Sequence, residues 1–231
     1  MFRTADSLPV PTPAVTSRLT WHRLWALWPY KLAGTTIGMA LFFTAYFHVL
    51  RHPVFDVTVM PLTRIDHEVT FSPLWLLPYL SLWFYVTLPP SLFMNGRELA
   101  LYGAGAFVLS VVGLVIFFFW PTTLPVMDID WSRYPSMMFL KSVDASGNAC
   151  PSLHVGFAVF TAFWLDCLLR RLRLPASWRV VNVGWALAIS VSTLGTKQHV
   201  AWDAICGAAL GMAVAWLHQA VWRRVPFAGR W

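Results

Sequence analysis

Six stretches of roughly twenty apolar residues divide this chain, and each is long enough to cross about 30 Å of hydrocarbon as a helix. They run over Leu32–Leu50, Pro73–Phe93, Leu99–Trp120, Ser152–Leu172, Trp178–Gly195 and Val200–Val221. Backbone polar groups inside a bilayer have to be satisfied within the segment, so runs of this length fold as helices. The expectation is an all-α polytopic membrane protein, a bundle of six transmembrane helices. Pro78 predicts a kink in the second span. The composition agrees: 58% of residues are hydrophobic and 12% charged, about half the charged share of a soluble domain. Mean hydropathy is +0.59.

The 231 residues divide into a polar tail over 1–27, a membrane domain over 28–225 and a short tail over 226–231. The first segment reads as a flexible tail, not a signal peptide, and ends in an interfacial helix around Trp21 to Trp28. A net charge of +7 raises the question of nucleic acid. The basic residues lie between apolar runs and form no stripe, so no nucleic-acid partner is expected. Cys150, Cys167 and Cys206 form no disulfide framework and no metal signature. Internal repeats, which would favour a transporter, are not evident.

Lys and Arg counts set the orientation. The N-terminal segment, the second–third loop, the fourth–fifth loop and the C-terminus hold 12 basic residues, with Arg170, Arg171, Arg173 and Arg179 clustered. The opposite connections hold 5. Both termini are therefore expected in the cytoplasm. Asp56, Asp66, Glu68, Asp128, Asp130 and Asp144 fall on the outer side, as do two segments rich in chemistry.

The first of these is Asp144-Ala-Ser-Gly-Asn148-Ala-Cys150-Pro151-Ser152-Leu153-His154, which leads into the fourth span. Pro151 suits a helix start, where N–H groups and the positive dipole end favour an anion. Ser152 is both a natural N-cap and a phosphate ligand, and His154 follows one turn in. The second is Ser192-Thr193-Leu194-Gly195-Thr196-Lys197-Gln198-His199-Val200-Ala201-Trp202-Asp203. His199 and Asp203 are four apart and share a helix face, an arrangement in which a carboxylate fixes one imidazole tautomer. Lys197 supplies a cation for phosphate oxygens. Two histidines from different spans are thus expected to meet at one face, one as nucleophile and the other as acid. The bland readings are a capping histidine for His154 and His199, and a snorkelling lysine for Lys197.

Other candidates carry less. His48 and His52 are four apart and would suit haem or a metal, but read better as an interfacial pair beside Arg51. Asp166 and Arg170 read as a structural ion pair. Asp128 and Asp130 are too few for a metal site, and Asp144 with Asn148 shapes a turn.

The two motifs together resemble the type-2 phosphatidic acid phosphatase superfamily, and within it the inositolphosphorylceramide-synthase-like branch. The resemblance is carried by residues 144–203. It implies a six-helix membrane enzyme that hydrolyses a lipid phosphate or pyrophosphate through a phosphohistidine at the extracytoplasmic face, without metal or cofactor. A variant of this reading passes the phosphoryl head group to an alcohol acceptor. His199 corresponds to the phosphate-accepting histidine, Asp203 to its orienting residue, His154 to the acid, and Ser152 and Thr193 to phosphate-binding positions. Leu153 replaces the family's usual glycine, and Thr193 its usual arginine. The family's first motif is missing, and Arg133 and Lys141 are the available substitutes. The implied partners are a lipid phosphate substrate and the bilayer, with a bacterial inner membrane as location. The identity of the lipid and the oligomeric state stay open. A non-enzymatic transporter or haem protein is the alternative from another class.

Overall fold

The structure, a computed structural model, describes residues 21–143 and 148–222, without the side chains of residues 139, 141–143 and 219–222. The expectations for Asp144, for the Lys141 side chain and for both terminal tails beyond these limits lie outside the described residues.

The described residues are mostly helical, 74% helix against 2% strand. After helical residues 21–25 come nine helices among the described residues. They are α1 (Trp28–Arg51), α2 (Arg64–Glu68), α3 (Leu76–Tyr85), α4 (Leu88–Leu92), α5 (Gly96–Phe119), α6 (Pro135–Val143), α7 (Leu153–Arg171), α8 (Ala176–Gly195) and α9 (Ala201–Trp222). Four helices among the described residues are long and apolar enough to cross a membrane: α1, α5, α7 and the Ala201–His218 part of α9.

The predicted second span is interrupted. Pro78 sits in the first turn of α3, where a missing N–H breaks no ladder bond. The break falls instead at Val86–Thr87, just ahead of Pro89 and Pro90, which have no N–H to continue the helix. The chain restarts as the five-residue α4. The fifth predicted span is the twenty-residue α8, in which Arg179, Asn182 and several small polar residues dilute the apolar face.

The helices pack around α7, the most buried of the long helices. One core cluster joins Phe93, Tyr102, Leu109 and Phe117 to Leu153, Phe160, Trp164 and Val214, linking α5, α7 and α9. A second joins Leu82 and Tyr85 to Ala158, Leu165, Ala186 and Ile189, linking α3, α7 and α8. The closest approach is between α7 and α9. Gly156 lies on α7, and Gly207 and Gly211 lie one turn apart on α9. A β-carbon on Gly207 would fall onto the Ser152 carbonyl, and one on Gly211 onto the Gly156 carbonyl. Small residues at this spacing let two apolar helices approach backbone to backbone.

The loops at the α7 N-terminal end are tied together by a short parallel pairing of Thr58–Val59 (β1) with Thr122–Thr123 (β2). Thr122 then grips the segment before α7. Its carbonyl accepts from the Ala149 N–H at 3.0 Å and its hydroxyl from the Cys150 N–H at 2.7 Å. At the opposite end α7 runs into the arginine cluster. The twenty residues of α8 separate those arginines from the His199 turn by about 30 Å.

Candidate functional site

His154 and His199 come together at one end of the bundle because α7 and α9 begin side by side. The Ser152 N–H donates to the Asp203 carbonyl at 2.9 Å, stapling the two helix starts. Tyr79, whose ring stacks on His154, lines the same cavity as His199.

Ser152 caps α7, accepting from the Val155 N–H at 3.3 Å, and is fully buried. His154 is buried one residue into the helix. Its ring stacks on Tyr79 with centroids 4.0 Å apart and planes 11° apart, while Trp83 meets it edge-on. Its Nε2 lies 2.8 Å from the Tyr79 carbonyl. A carbonyl only accepts, so this contact assigns the proton to Nε2 and leaves Nδ1 to carry the second.

His199 follows the C-terminus of α8. The carbonyl of Thr193 accepts from both the Gln198 and His199 N–H groups, turning the chain back toward α9. Lys197 takes the left-handed conformation within this turn, at φ 55°. The His199 Nδ1 lies 3.0 Å from the Ala149 carbonyl, which assigns the proton to Nδ1 and leaves Nε2 as the unprotonated nitrogen. Asp203 is 3.6 Å from the same Nδ1. The tautomer is therefore fixed first by a backbone carbonyl, with the carboxylate beside it. The main hydrogen bond of Asp203 is to the start of its own helix, where Oδ2 accepts from the Val200 N–H at 2.9 Å. Its Oδ1 is buried with no hydrogen-bond partner among the described residues.

A cavity of about 300 Å³ opens at this point, lined by Tyr46, Tyr79, Trp131, Asn148, Lys197 and His199 among others. Its wall is largely polar and includes the β2 strand and the Ala149 segment. Tyr46 and Asn148 are hydrogen-bonded across it.

The remaining predicted phosphate ligands are differently placed. The Lys197 ammonium donates to the carbonyls of Asp66 at 2.9 Å and Val69 at 2.6 Å, while the residue lines the cavity. Burial draws its pKa below the ordinary lysine range, and Asp66 opposes that. The Thr193 hydroxyl bonds back within α8, to the Ser190 carbonyl at 2.8 Å, and is buried. Arg133 pairs with Asp130 at 2.9 Å on an exposed turn. His52 Nδ1 lies 2.9 Å from the His48 carbonyl, and the two rings are tilted by 34° with centroids 4.9 Å apart. Asp166 pairs with Arg170 at 2.7 Å, as the spacing predicted, and also with Arg179 at 2.6 Å. Among the described residues, no three His, Cys, Asp or Glu side chains are grouped to hold a metal ion.

Asp66 is the site residue that sequence reasoning missed. It is buried in α2, where Oδ2 accepts from the Thr63 N–H at 2.7 Å and from its hydroxyl at 2.8 Å, closing a capping box. Its Oδ1 accepts from the Ala201 N–H at 2.8 Å, at the start of α9. With Lys197 on its carbonyl, Asp66 clamps the first outer loop onto the turn that carries His199. The Thr-x-x-Asp spacing at Thr63–Asp66 was the available signal, but it reports only a local helix start. Asp66→Ala removes three acceptor bonds to a buried carboxylate, each worth about 1.5–3 kcal/mol. It is expected to lower turnover about 100-fold through displacement of His199. Steady-state kinetics beside thermal unfolding of the purified variant measure this.

The described residues form a helical bundle with four bilayer-length helices, as in a membrane protein, and with two histidines and a buried carboxylate at one end. A sequence model of the PAP2 superfamily matches residues 98–226, more than half of the chain, and the protein belongs to that superfamily. Membership points to a phosphatase or phosphotransferase. No curated protein and no solved structure matches the chain.

Proposed function

We propose that this protein is a membrane lipid phosphatase that works through a phosphohistidine at His199. The supporting observation is the hydrogen bond from His199 Nδ1 to the Ala149 carbonyl, which leaves Nε2 as a lone-pair nitrogen at a polar cavity. Attack by Nε2 on the substrate phosphorus forms a P–N bond as the P–O bond to the lipid breaks. His154 gives a proton to the departing oxygen, and its Nε2–H stays on the Tyr79 carbonyl while Nδ1 carries the transferred proton. Water, deprotonated by the now neutral His154, then attacks phosphorus and the P–N bond breaks. The products are the lipid alcohol and inorganic phosphate. The Asp203 carboxylate offsets the positive charge that develops on His199. Ser152 and the α7 N-terminus receive phosphate oxygens, with Lys197 beside them and Thr193, Arg133 and Lys141 as outer candidates.

In this reading the predicted six spans comprise α1, the interrupted α3–α4 pair, α5, α7, α8 and α9. The basic end faces the cytoplasm of a bacterial inner membrane, and the histidines face outward. Transfer to an alcohol, as in the inositolphosphorylceramide-synthase-like branch, shares the first half-reaction. It differs only in whether Tyr46, Trp131 and Asn148 seat a hydroxyl acceptor in place of water.

The test is phosphate release from a panel of lipid phosphates and pyrophosphates in detergent, with labelled substrate and thin-layer separation of products. An acid-labile, alkali-stable label on the protein is expected, and its absence together with absence of phosphate release would overturn the reading. Activity is expected to persist within about twofold in excess EDTA, because charge stabilisation comes from helix N–H groups and side chains. Loss on chelation that zinc or magnesium restores would sink the metal-free mechanism.

A further inference from the structure

The end of the bundle remote from the histidines carries a second cavity, and its lining is of another character. It measures about 470 Å³ and lies between α3, α4, α7 and α8. Leu88, Leu92, Leu165, Leu169 and Leu172 supply much of the wall, and Arg23 is part of the same lining. The groove is therefore apolar along its length with a cation at one place.

That cation sits at a defined depth. Arg23 belongs to helical residues 21–25, and Trp21, Trp25 and Trp28 around it are 60%, 63% and 50% exposed. Exposed tryptophans grouped in this way mark the headgroup level of a bilayer. Arg23 is itself 2% exposed and fixed in place. Its guanidinium donates to the Leu92 carbonyl at 3.1 Å, and its own carbonyl accepts from the Lys31 ammonium at 2.6 Å. Lys31 also reaches the Ser91 carbonyl at 2.7 Å. A second cation flanks the groove: Arg173, exposed and left-handed at φ 54°, stands between the lining residues Leu172 and Leu174.

Charge at this end is unbalanced. Among the described residues, Arg23, Lys31, Arg97, Arg170, Arg171, Arg173 and Arg179 lie at this end with two carboxylates, Glu98 and Asp166. Asp166 is occupied by Arg170 and Arg179. Glu98 is fully buried among Arg171, Arg23 and Lys31. Among the described residues these basic groups outnumber the two carboxylates, an excess that an anion at headgroup depth would offset. An apolar groove facing a bilayer fills with hydrocarbon, not with water.

We propose that this groove is a seat for one anionic phospholipid of the leaflet at the basic end, with an acyl chain along the leucines and the phosphate at Arg23 and Arg173. The site is separate from the histidine cavity and does not depend on the reaction proposed there.

The test uses the full chain purified in detergent, with phosphatidylglycerol or phosphatidylcholine added and the retained lipid counted by native mass spectrometry. Phosphatidylglycerol is expected to be retained in preference to phosphatidylcholine. Arg173→Gln, an exposed change that spares the buried cluster, is expected to cut that retention about fivefold, as for removal of one surface cation. Val181→Trp, which fills the groove from α8, is expected to abolish it. His199→Ala and Arg64→Gln, at the other end, are expected to leave it unchanged. Equal retention of both lipids overturns the proposal, as does phosphatidylglycerol retention that survives Arg173→Gln and Val181→Trp in variants that unfold at the wild-type temperature. Retention lost in His199→Ala would move the lipid to the histidine cavity and equally overturn it.

Discussion

His199→Ala is expected to abolish phosphate release, by about 10⁴-fold or more, while the protein inserts, purifies and unfolds as before. The size follows from the role. A covalent nucleophile divides one difficult displacement into two easier ones, and no neighbouring group takes over when it is lost. His154 does not substitute, because its Nε2 is held on the Tyr79 carbonyl and its ring is stacked on Tyr79. Stability should change little, because among the described residues the polar contacts of the His199 side chain are with the Ala149 carbonyl at 3.0 Å and the Asp203 carboxylate at 3.6 Å. The variant should also lose the alkali-stable phosphoryl label. Turnover within a few-fold of wild type would show that phosphorus is attacked by something else. Retained label with lost turnover would shift the block to the second half-reaction.

Gly207→Ala is the second large effect, and it acts by distance alone. The added methyl would meet the Ser152 carbonyl, backbone against backbone, with no flexible side chain to give way. Overpacking of this kind costs about 1–3 kcal/mol. The functional loss should be larger than that implies. The Ser152 N–H to Asp203 carbonyl bond at 2.9 Å lies directly beside the clash, and it ties the start of α7, which carries His154, to the start of α9, which follows His199. A displacement of about 1 Å at reacting groups costs about 100-fold in rate. Gly103→Ala is the control: it lies on α5 with open space where the β-carbon would go, so it should be neutral or slightly stabilising. Equal behaviour of the two variants in activity and unfolding temperature would remove the helix contact from the account of the site.

Much of this architecture was legible in the residue order. Apolar length marked α1, α5, α7 and α9, because a helix that cannot reach water must satisfy its own backbone. The interruption of the second span was written in Pro89 and Pro90, yet Pro78 drew the prediction, since hydropathy does not say which proline falls in a first turn. At the site, residue types and spacing singled out Ser152, His154, His199 and Asp203. Each sits at the helix start or turn that its neighbours dictate: Ser152 as cap, His199 after the Gly195–Lys197 turn, Asp203 in the first turn of α9.

Local pattern also fixed which pairs would be structural ion pairs, as with Asp166 and Arg170, because i and i+4 always meet on a helix. What it did not contain was contact between distant segments. That Ala149 supplies the acceptor for His199, that Lys197 spends its ammonium on the Asp66 and Val69 carbonyls, and that Asp66 reaches the start of α9 all depend on loops separated by 50 to 135 positions. Backbone carbonyls have no sequence signature, and register between outer loops is set by the β1–β2 pairing and the glycine contact of α7 with α9. The sequence determined which candidate side chains lie at which helix ends; the tertiary structure alone decided which ring nitrogens face a backbone acceptor, because a tautomer follows from the acceptor that folding brings to the ring.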